Sequence, residues 1–451
     1  MTGGQNVSTR WRSIAAIGAI ALIVGACSGG TSSAAPSSAS TAAPTSAPAS
    51  AAASTAAVEI DWYHVQNDDK GKALWQKLAD EYMAAHPNVK VNITVLENEA
   101  FKTKLTTLLQ AKTPPDLFQS WGGGGLREQQ EAGLVKDITG DVASWKNEIN
   151  PGALGMYQVD GKQYGIPFDL GMVGFWYNKE QFAKAGITSP PATWDELLAD
   201  VGKLKAAGLV PIALAGKDKW PGMFYWALLA VRSCGQDKMN KAVTSGDWTD
   251  PCFVEAGNQL KKLIDQKPFQ EGFLGAIWDG AGSGAASMAT GKGAMQLMGQ
   301  WLPGTVTNNS ADKKGMGDNL GWFPFPALTG AAGAATDGFG GGNGFAVGKD
   351  APPETLDFLH FLVSKDAAMQ WGALGTGILP TTVGTESSVT DPQLKDVLAA
   401  RAKANFVQLY LDQATTPALG GSINDAIQTL YAGTGTPEQV SQAITDAAKT
   451  Q

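Results

Sequence analysis

The sequence has 451 residues, with 42 Asp or Glu against 34 Lys or Arg, so its formal net charge is −8 at pH 7. Residues 1–26 contain two arginines and no acid, and without them the charge is 32 − 42 = −10. A chain this acidic, with no basic patch interleaved with aromatic residues, excludes nucleic acid and disfavours anionic lipid as a partner.

Residues 1–26 are predicted to be an export signal. Arg10 and Arg12 form a basic start, and the apolar stretch that follows is too short to span a bilayer as a mature helix. The stretch ends at Val24-Gly25-Ala26-Cys27, which resembles a bacterial lipobox. The resemblance implies that Cys27 is lipidated and becomes the first residue after cleavage. An ordinary signal peptide followed by an incidental cysteine is the alternative.

Residues 27–57 are predicted to be a tether that follows the lipidated cysteine. From Ser28 to Ala57 every residue is Ser, Gly, Thr, Ala or Pro, a composition too poor in apolar side chains to offset the entropy lost on ordering. No later apolar run approaches the length of a membrane span. We therefore expect the protein to be held by lipid alone at the extracellular face of the cytoplasmic membrane.

Two cysteines remain downstream, Cys234 and Cys252. Export places them in an oxidising compartment, so we expect a disulfide that closes a short loop. Loop-closure entropy would make it worth about 3 kcal/mol. Neither cysteine has a CxxC partner or a nearby histidine, so the disulfide is predicted to be structural rather than a metal or thiol site.

Strands and helices alternate at the start of the segment that follows residue 57. Alternation of this kind predicts parallel βαβ units and hence an α/β lobe. The length of the segment fits two lobes better than one core. The patterns are a strand at Val58, Ile60 and Trp62, a helix at Leu74, Leu78 and Tyr82, a strand from Val89 to Val95, a helix at Phe101, Leu105, Leu108 and Leu109, and a short strand from Pro114 to Phe118.

Later segments carry clear boundaries. Thr193-Trp194-Asp195-Glu196 and Thr436-Pro437-Glu438-Gln439 are capping boxes, which predict helix starts. An amphipathic helix is expected from Glu354 to Val363. The apolar and aromatic segments Tyr164–Tyr177 and Leu320–Leu328 are predicted to pass between the two lobes.

Catalytic motifs are absent from the sequence. The three histidines are His64, His86 and His360, and there is no HExxH, GxSxG or Walker lysine. The glycine runs Gly122–Gly125 and Gly340–Gly342 are predicted to be tight turns where the backbone approaches a neighbour, rather than phosphate cradles. We expect no cofactor and no metal. A pair of carboxylates for glycoside hydrolysis is an alternative that sequence leaves open.

Tryptophan is unusually frequent, with fourteen residues against eight tyrosines. Four of them, Trp121, Trp220, Trp278 and Trp301, lie beside Gly, Pro or Asp in predicted loops. An indole face suits the C–H face of a pyranose, and aromatic platforms with a few convergent polar groups are typical of small-ligand pockets. Core packing is the alternative for each tryptophan taken singly.

Several segments resemble extracellular sugar-binding lipoproteins of ABC importers, and the likeness covers nearly all of the chain beyond the tether. Its carriers are Ala85–Val91, Pro114–Phe118 before Trp121, Tyr164–Phe168, Phe175–Lys179, Met295–Trp301, Pro417, Asn424, Gly433 and Thr436–Glu438. A narrower likeness, to actinobacterial proteins that bind xylobiose and related oligosaccharides, rests on Lys217–Pro221, Arg232–Cys234, Asp250–Phe253, Lys267–Phe269, Gly321–Pro326 and Gln408–Asp412.

Two positions depart from that pattern. Asn343 stands where an acid is expected in a Gly-Gly-Gly-Asp-Gly-Phe loop, and Asp169 follows Phe168 where an uncharged pair is common. A changed partner for a sugar hydroxyl could alter which sugar is preferred.

The resemblance implies an α/β, type II periplasmic-binding-protein-like fold with an interlobe cleft and hinge strands. Lobe 1 is expected to comprise 58–168 and 328–378, and lobe 2 to comprise 169–327 and 379–451. The cleft is expected to bind a small oligosaccharide and to close on it. The predicted stacking platforms are Trp121, Trp220, Trp278 and Trp301, and the predicted hydroxyl partners are His64, Asn67, Glu99, Asp169 and Asn343.

The expected partners are the sugar and the transmembrane subunits of an ABC permease, and the protein is expected to be a monomer and not an enzyme. The first ligand candidate is xylobiose or a xylo-oligosaccharide, with cello- and chito-oligosaccharides as alternatives. A non-sugar solute such as a peptide or an osmolyte is a further alternative. Arg127, Arg232 and Arg401 have no obvious common locus for binding a zwitterion.

Overall fold

The structure is a computed structural model that describes residues 56–450. The predicted signal peptide 1–26, Cys27 and the tether up to residue 55 lie outside the described residues. The strands are β1 Val58–His64, β2 Val89–Val95, β3 Leu117–Ser120, β4 Gln158–Val159, β5 Lys162–Gln163, β6 Gly165–Pro167, β7 Gly174–Asn178, β8 Met295–Met298, β9 Leu320–Pro324, β10 Gly338–Gly340, β11 Gly344–Val347 and β12 Val407–Leu409.

Helices occupy much of the remaining chain. They are α1 Asp69–Ala85, α2 Asn98–Gln110, α3 Gly123–Glu131, α4 Pro151–Gly155, α5 Lys179–Lys184, α6 Trp194–Ala206, α7 Trp220–Ser245, α8 Pro251–Asp265, α9 Gly284–Ala289, α10 Leu302–Asn309, α11 Glu354–Leu362, α12 Lys365–Ala373, α13 Pro392–Lys403, α14 Leu411–Ala414, α15 Pro417–Ala432 and α16 Pro437–Ala448. Four short 3₁₀ helices lie at Lys146–Glu148, Phe273–Gly275, Gly317–Asn319 and Glu386–Ser388.

The first lobe is built on a five-stranded sheet with the order β2-β1-β3-β11-β6. Strands β2, β1 and β3 are parallel, whereas β11 runs antiparallel to β3 and β6. The period-2 pattern of the first strand predicted its buried face correctly, because Ile60 and Trp62 are both fully buried. Helices α1 and α11 pack beside this sheet, so the predicted βαβ arrangement is confirmed.

The second lobe contains an antiparallel sheet with the order β8-β7-β9 and most of the long helices. Helix α7 is almost wholly buried in its first half and is interrupted at Gly235, whose φ of 73° glycine adopts without steric cost. The predicted disulfide is present: Cys234 and Cys252 are bonded, and their Cα atoms lie 5.2 Å apart. It joins α7 to α8, the two helices that pack against each other in this lobe.

The helices predicted from capping residues and from periodicity are present. Thr193 and Thr436 both form complete capping boxes, with their hydroxyls accepting from the backbone N–H of Glu196 and Gln439. The helices predicted around Leu74 and Phe101 are α1 and α2, and α11 ends one residue before the predicted limit at Val363.

From residue 56 to residue 450 the chain passes between the lobes at three crossings, which are identified by a change of hydrophobic core. Phe168 belongs to the core of lobe 1 and Met172 to that of lobe 2. The second crossing runs from Phe339 in lobe 2 to Phe345 in lobe 1, and the third begins where Ile378 is followed by Leu379.

The segment Leu320–Leu328 is not a crossing, contrary to the sequence-based prediction. Its first part is β9, which pairs with β7 along its whole length, and Leu328 still packs on the core of lobe 2. The boundary expected at residue 328 therefore lies too early, and the chain returns to lobe 1 only after Gly340. The segment is rich in aromatic residues because β9, although an edge strand, is buried in the core of lobe 2.

Within residues 56–450, none of the helices combines the length and the apolar character that crossing a membrane requires.

Candidate functional site

A cavity of about 1000 Å³, a figure that includes space open to solvent, lies between the two lobes. It adjoins the carboxyl ends of β1, β2 and β3, where parallel α/β sheets characteristically bind ligands. Its wall from lobe 1, called here the lobe 1 wall, consists of Val65, Gln66, Asn67, Asp68, Glu97, Asn98, Lys102 and Trp121. Its wall from lobe 2, the lobe 2 wall, consists of Trp220, Phe224, Trp278, Trp301, Thr305, Tyr410, Asp412 and Gln413.

The crossings themselves form the floor of the cavity. Gly341, Gly342 and Asn343 from the second crossing line it, together with Thr376 and Ile378 just before the third. The glycines are required by close packing, since a Cβ on Gly342 would lie 1.8 Å from the carbonyl oxygen of Asp169. The predicted interpretation of this glycine run, a close approach of backbone, is confirmed.

The lobe 2 wall is one connected group of aromatic rings. The centroid of Trp220 lies 5.7 Å from that of Trp278 and 6.4 Å from that of Trp301. The ring of Trp301 lies in turn 6.1 Å from Tyr410, which stacks on Phe224 at 5.4 Å. Such tilted and stacked contacts hold each ring in place, so the wall presents preformed apolar surfaces to a ligand.

Three buried polar atoms that belong to cavity-lining residues have no hydrogen-bond partner within residues 56–450. They are Trp220 Nε1, Thr376 Oγ1 and the Tyr410 hydroxyl, and their residues are only 7%, 6% and 5% exposed. Buried polar groups are normally satisfied, because an unpaired one costs about 1–3 kcal/mol. Two of these atoms can donate and accept, so a ligand rich in hydroxyl groups would match them.

The polar side chains of the lobe 1 wall are held by their own helix starts. Asp68 caps α1 by accepting from the N–H of Gly71 at 2.8 Å, and Glu97 caps α2 by accepting from Glu99 N at 2.9 Å. Burial raises the pKa of the Asp68 carboxyl above its ordinary value. Each capping carboxylate keeps further lone pairs that can accept from a ligand.

Trp121 is the aromatic residue of the lobe 1 wall, and it stands apart from the rings of lobe 2. Its ring meets Phe101 edge-on at 5.9 Å and has Lys102 Nζ 5.8 Å from its centroid. The ammonium group of Lys102 is also held by Glu99 Oε1 at 3.0 Å. Among the described residues that line the cavity, Lys102 is the one cation, and the carboxylates Asp68, Glu97 and Asp412 line it as well.

The two lobes touch on the rim of the cavity, so the structure represents a closed arrangement. Asn67 Nδ2 donates to Asp279 Oδ2 of lobe 2 at 3.0 Å. Helix α3 packs on α14, and a Cβ on Gly124 would lie 2.2 Å from the carbonyl oxygen of Thr415. The first glycine run therefore permits a close contact between lobes, in agreement with its predicted role in close backbone approach.

Six of the nine predicted ligand-binding residues line the cavity: Asn67, Trp121, Trp220, Trp278, Trp301 and Asn343. The structure thus brings together all four predicted stacking platforms. The other three, His64, Glu99 and Asp169, are not on its surface. Their location corrects the expectation of direct contact with a ligand.

His64 is fully buried beneath the lobe 1 wall. It has the same parity along β1 as Ile60 and Trp62, so the alternation of the strand turns its side chain into the core. The ring lies 4.8 Å from Trp62, and its Nδ1 accepts from the N–H of Gln66 at 3.2 Å. Burial lowers the pKa of His64 to about 3, so the ring is neutral at pH 7.

Glu99 and Asp169 support lining residues instead of lining the cavity. Glu99 lies in the first turn of α2, where it accepts from Lys102, while Glu97 two residues earlier faces the cavity. Asp169 is fully buried behind the floor, where its Oδ2 accepts from the side-chain N–H of Asn343 at 2.7 Å.

Sequence reasoning missed several lining residues of lobe 2 and of the floor. Tyr410 and Asp412 belong to the segment Gln408–Asp412 that carried the narrower resemblance, so a signal for them was present. Burial raises the pKa of Asp412. Thr376 lies in a glycine-containing loop that has no hydrophobic periodicity and no motif. It reaches the cavity because this loop leads into the third crossing.

Among the residues that the structure describes, no group of three or more His, Cys, Asp or Glu side chains is arranged to hold a metal ion. The cavity is therefore interpreted from its aromatic and hydrogen-bonding groups.

Comparison with known proteins identifies the family. Residues 67–369, more than half of the chain, match the model of the bacterial extracellular solute-binding proteins. A protein of Brucella abortus named as a binding protein is 29% identical over 382 residues, which are 81% of this chain and 86% of that protein.

Two solved structures align over nearly their whole length with a TM-score of 0.79. One comes from work on xylan utilisation by the thermophilic bacterium Caldanaerobius polysaccharolyticus; it is 26% identical and covers 86% of this chain and 99% of its own. The other, a chitin oligosaccharide binding protein, is 25% identical and covers 87% of this chain and 98% of its own. The predicted two-lobed α/β fold is confirmed, and the chain belongs to the bacterial extracellular solute-binding proteins.

Proposed function

We propose that this chain is the substrate receptor of an ABC importer, and that it captures a short neutral oligosaccharide between its lobes without altering it chemically. The observation that carries the proposal is the lobe 2 wall, where connected aromatic rings lie beside buried polar atoms that lack partners. Indole and phenol rings can cover the C–H faces of a sugar, while its hydroxyl groups would satisfy Trp220 Nε1, Thr376 Oγ1 and the Tyr410 hydroxyl.

The charge of the cavity favours a neutral sugar over an acidic one. Its lining contains the carboxylates Asp68, Glu97 and Asp412 against the single ammonium group of Lys102. A uronate or a sugar phosphate would meet like charge in a partly desolvated space, and such contacts cost affinity. A zwitterionic peptide would need an arginine for its carboxylate, and no arginine within residues 56–450 lines the cavity.

Capture follows from the closed arrangement of the lobes. A sugar that first rests on the lobe 2 wall gains the polar contacts of the lobe 1 wall only when the lobes approach. It therefore binds the closed state better than the open one and shifts the population toward closure. The closed shape would then be the form that the permease subunits recognise, with the receptor acting as a monomer.

Xylobiose or a xylo-oligosaccharide is the first candidate ligand. The likeness to a structure from work on xylan utilisation supports it, and the nearly equal likeness to a chitin oligosaccharide binding protein supports chitobiose as the alternative. The departures at Asn343 and Asp169 concern the floor of the cavity, where a change in hydrogen bonding alters which hydroxyl pattern fits.

Calorimetric titration of the purified protein with xylobiose, cellobiose, chitobiose and maltose tests the proposal. We expect saturable binding of one of these sugars, weaker binding of a uronate-bearing counterpart, and no release of reducing ends on prolonged incubation. Binding of none would contradict the sugar assignment, and steady release of reducing ends would instead indicate a glycosidase.

The lipid anchor is tested separately. Replacement Cys27→Ser should move the protein from the membrane fraction into the medium, because the residue that carries the lipid would then be missing. A second variant, Ser28→Ala, serves as the control and should stay with the membrane. Retention of the Cys27→Ser protein would contradict lipidation at this position.

A further inference from the structure

All three interlobe crossings meet at the buried side chain of Asp169. Its Oδ1 accepts from the N–H of Leu379 on the third crossing at 2.8 Å. Its Oδ2 accepts from Asn343 Nδ2 on the second crossing at 2.7 Å and from Gln300 Nε2 of lobe 2 at 2.8 Å. Asp169 itself lies on the first crossing, so a single carboxylate connects every segment that joins the lobes.

Each of these three partners adjoins a part of the cavity. Gln300 directly precedes Trp301, whose ring packs so tightly on Gly299 that a Cβ there would lie 2.1 Å from it. Asn343 lies on the floor, and Leu379 follows Ile378, another floor residue. The carboxylate is therefore behind the surface that a ligand meets and touches three of its supports.

We propose that Asp169 is a positioning residue for ligand binding, which fixes the floor of the cavity and the orientation of the Asn343 amide from behind. The inference rests on the proposed function, since the floor is taken to contact the ligand. It assigns to Asp169 an action through other residues, because its own side chain has no access to the cavity.

The orientation of Asn343 follows from donor and acceptor chemistry. A carboxylate only accepts, so the amide must turn its nitrogen toward Asp169. Its Oδ1 then accepts from Gln119 Nε2 at 2.8 Å. One N–H and one lone pair of the amide remain for a ligand hydroxyl. Without the negative charge at Asp169, the Asn343 amide would present the opposite pattern once the Gln119 amide turned over with it.

The two positions at which the sequence departs from the sugar-binding pattern are thus in direct contact. An acid is expected at 343 and an uncharged residue at 169, and this chain has the reverse. The pair keeps one negative charge and one hydrogen bond between the two side chains, with the charge moved from the cavity surface to the position behind it.

The charge at Asp169 is weakly compensated. The guanidinium of Arg401 donates to the carbonyl oxygen of Leu170, and its positive charge acts on Asp169. The hydroxyls of Tyr157 and Tyr410 are the other titratable groups that face Asp169. Burial raises the pKa of Asp169 to about 6, against the three hydrogen bonds and Arg401, which lower it. The pKa values of both tyrosines lie well above 10, and Arg401 stays charged, so Asp169 alone titrates here between pH 5 and 7.5.

The test uses three variants, Asp169→Asn, Asn343→Asp and the double exchange, and the sugar that the wild-type protein binds. At pH 7.5 we expect Asn343→Asp to weaken binding at least tenfold, because two carboxylates would then face each other. Asp169→Asn should weaken it about tenfold, since the floor loses an acceptor. The double exchange should return to within about threefold of wild type, because one charge and one hydrogen bond are restored. Asp337→Asn, a buried acid of lobe 2 outside the cavity, is the matched control and should bind like wild type.

Measuring sugar affinity as a function of pH distinguishes a positioning role of Asp169 from a purely structural one. Wild-type affinity should fall at least threefold between pH 7.5 and 5, as protonation removes an acceptor from Asp169, whereas the affinity of Asp169→Asn should stay flat. Two outcomes would overturn the proposal: an Asp169→Asn protein with wild-type affinity and pH profile, or a double exchange that melts normally yet binds no better than Asn343→Asp.

A measurement without ligand keeps this inference distinguishable from the proposed function. Hydrogen exchange of the Leu379 amide should be at least tenfold faster in Asp169→Asn than in wild type, because its acceptor is changed. If no sugar binds the wild-type protein, the proposed function fails, and unchanged exchange at Leu379 would then refute the role of Asp169 independently.

Discussion

The lobe 1 wall and the lobe 2 wall of the cavity are built on different principles. The lobe 1 wall is mostly polar, and its side chains belong to loops and helix starts that follow β1 and β2. The lobe 2 wall is mostly aromatic, and its rings contact one another from Trp278 through Trp220 and Trp301 to Tyr410. The disulfide also lies in lobe 2.

The difference indicates that the two walls contribute differently to binding, one to affinity and the other to discrimination among sugars. Apolar contact is non-directional and roughly proportional to area, so the lobe 2 wall supplies affinity to any sugar that covers its rings. Hydrogen bonds depend on geometry, so the lobe 1 wall and the floor discriminate among sugars. Since the polar contacts form only on closure, the lobe 2 wall should bind first and the lobe 1 wall should select.

The largest expected effect comes from removing a platform of the lobe 2 wall. Trp301→Ala should weaken sugar binding by about 3 kcal/mol, roughly a hundredfold in Kd, as expected for a central aromatic contact. Trp121→Ala on the lobe 1 wall should cost about 1.4 kcal/mol, roughly tenfold. Calorimetric titration of both variants measures the difference, with melting temperatures as a check on folding.

Trp145→Ala is the control for these variants, since this tryptophan stacks on His360 away from the cavity. It should retain wild-type affinity whatever it does to stability. Equal losses of sugar affinity in Trp301→Ala and Trp121→Ala would contradict the proposed difference between the walls. Unfolding of Trp301→Ala would show that the Trp301 ring stabilises the core of lobe 2.

The second prediction concerns two buried titratable groups, His64 beneath the lobe 1 wall and Asp169 behind the floor. Burial lowers the pKa of His64 from 6.5 to about 3, so its contribution to stability is present above pH 6.5 and is lost as pH falls. Burial raises the pKa of Asp169 from 3.8 to about 6, so ionisation costs stability above pH 6 and acidification relieves this cost. The two effects have opposite signs over the same pH window.

Each replacement should therefore expose the effect of the other group. Between pH 6 and 5, Asp169→Asn should lose about 1 kcal/mol more unfolding free energy than wild type, and His64→Gln about 1 kcal/mol less, because each group is only partly titrated in this interval. Urea unfolding at the two pH values measures these slopes. Parallel slopes in all three proteins would mean that neither group titrates in this window, contrary to the burial of both side chains.

The sequence predicted the parts of the fold that depend on local patterns. The strands and helices from Val58 to Phe118, the two capping boxes and the disulfide all follow from periodicity, end signals and compartment. The segment Leu320–Leu328 was misassigned because an aromatic-rich buried strand and a crossing have the same composition. Only pairing with β7 distinguishes them, and pairing depends on residues more than a hundred positions away.

The site was predictable to the level of loops but not of individual side chains. Strand ends indicated where lobe 1 would contribute, yet His64 lies one position before the first lining residue, and Glu99 lies beyond Glu97. The alternation of side chains along β1 would have shown that His64 points into the core, because His64 lies on the same buried face as Trp62. The pairing of Asp169 with Asn343 could not be predicted, since it arises where crossings 174 residues apart in sequence come together.

The smallest expected effect tests the contact between the two walls. Asn67 of lobe 1 donates to Asp279 of lobe 2 across the rim, so separation of the lobes would break this bond. Asn67→Ala should weaken sugar binding by about 1 kcal/mol, the usual net value of one hydrogen bond. Asp279→Ala should do the same, and the double variant should lose little more than either one.

Non-additivity distinguishes a contact between lobes from a direct contact with the ligand. If Asn67 acted only by binding the sugar, its replacement would weaken binding equally with and without Asp279. Asn309→Ala is the control, because Asn309 also donates to Asp279, at 2.6 Å, but does so within lobe 2. A coupling between Asn67 and Asp279 that is absent between Asn67 and Asn309 would show that the polar wall contributes by holding the cavity closed. If the losses of binding free energy in the Asn67 and Asp279 variants were fully additive, Asn67 would act as a simple ligand contact. Discrimination among sugars by the lobe 1 wall would then not depend on closure of the lobes.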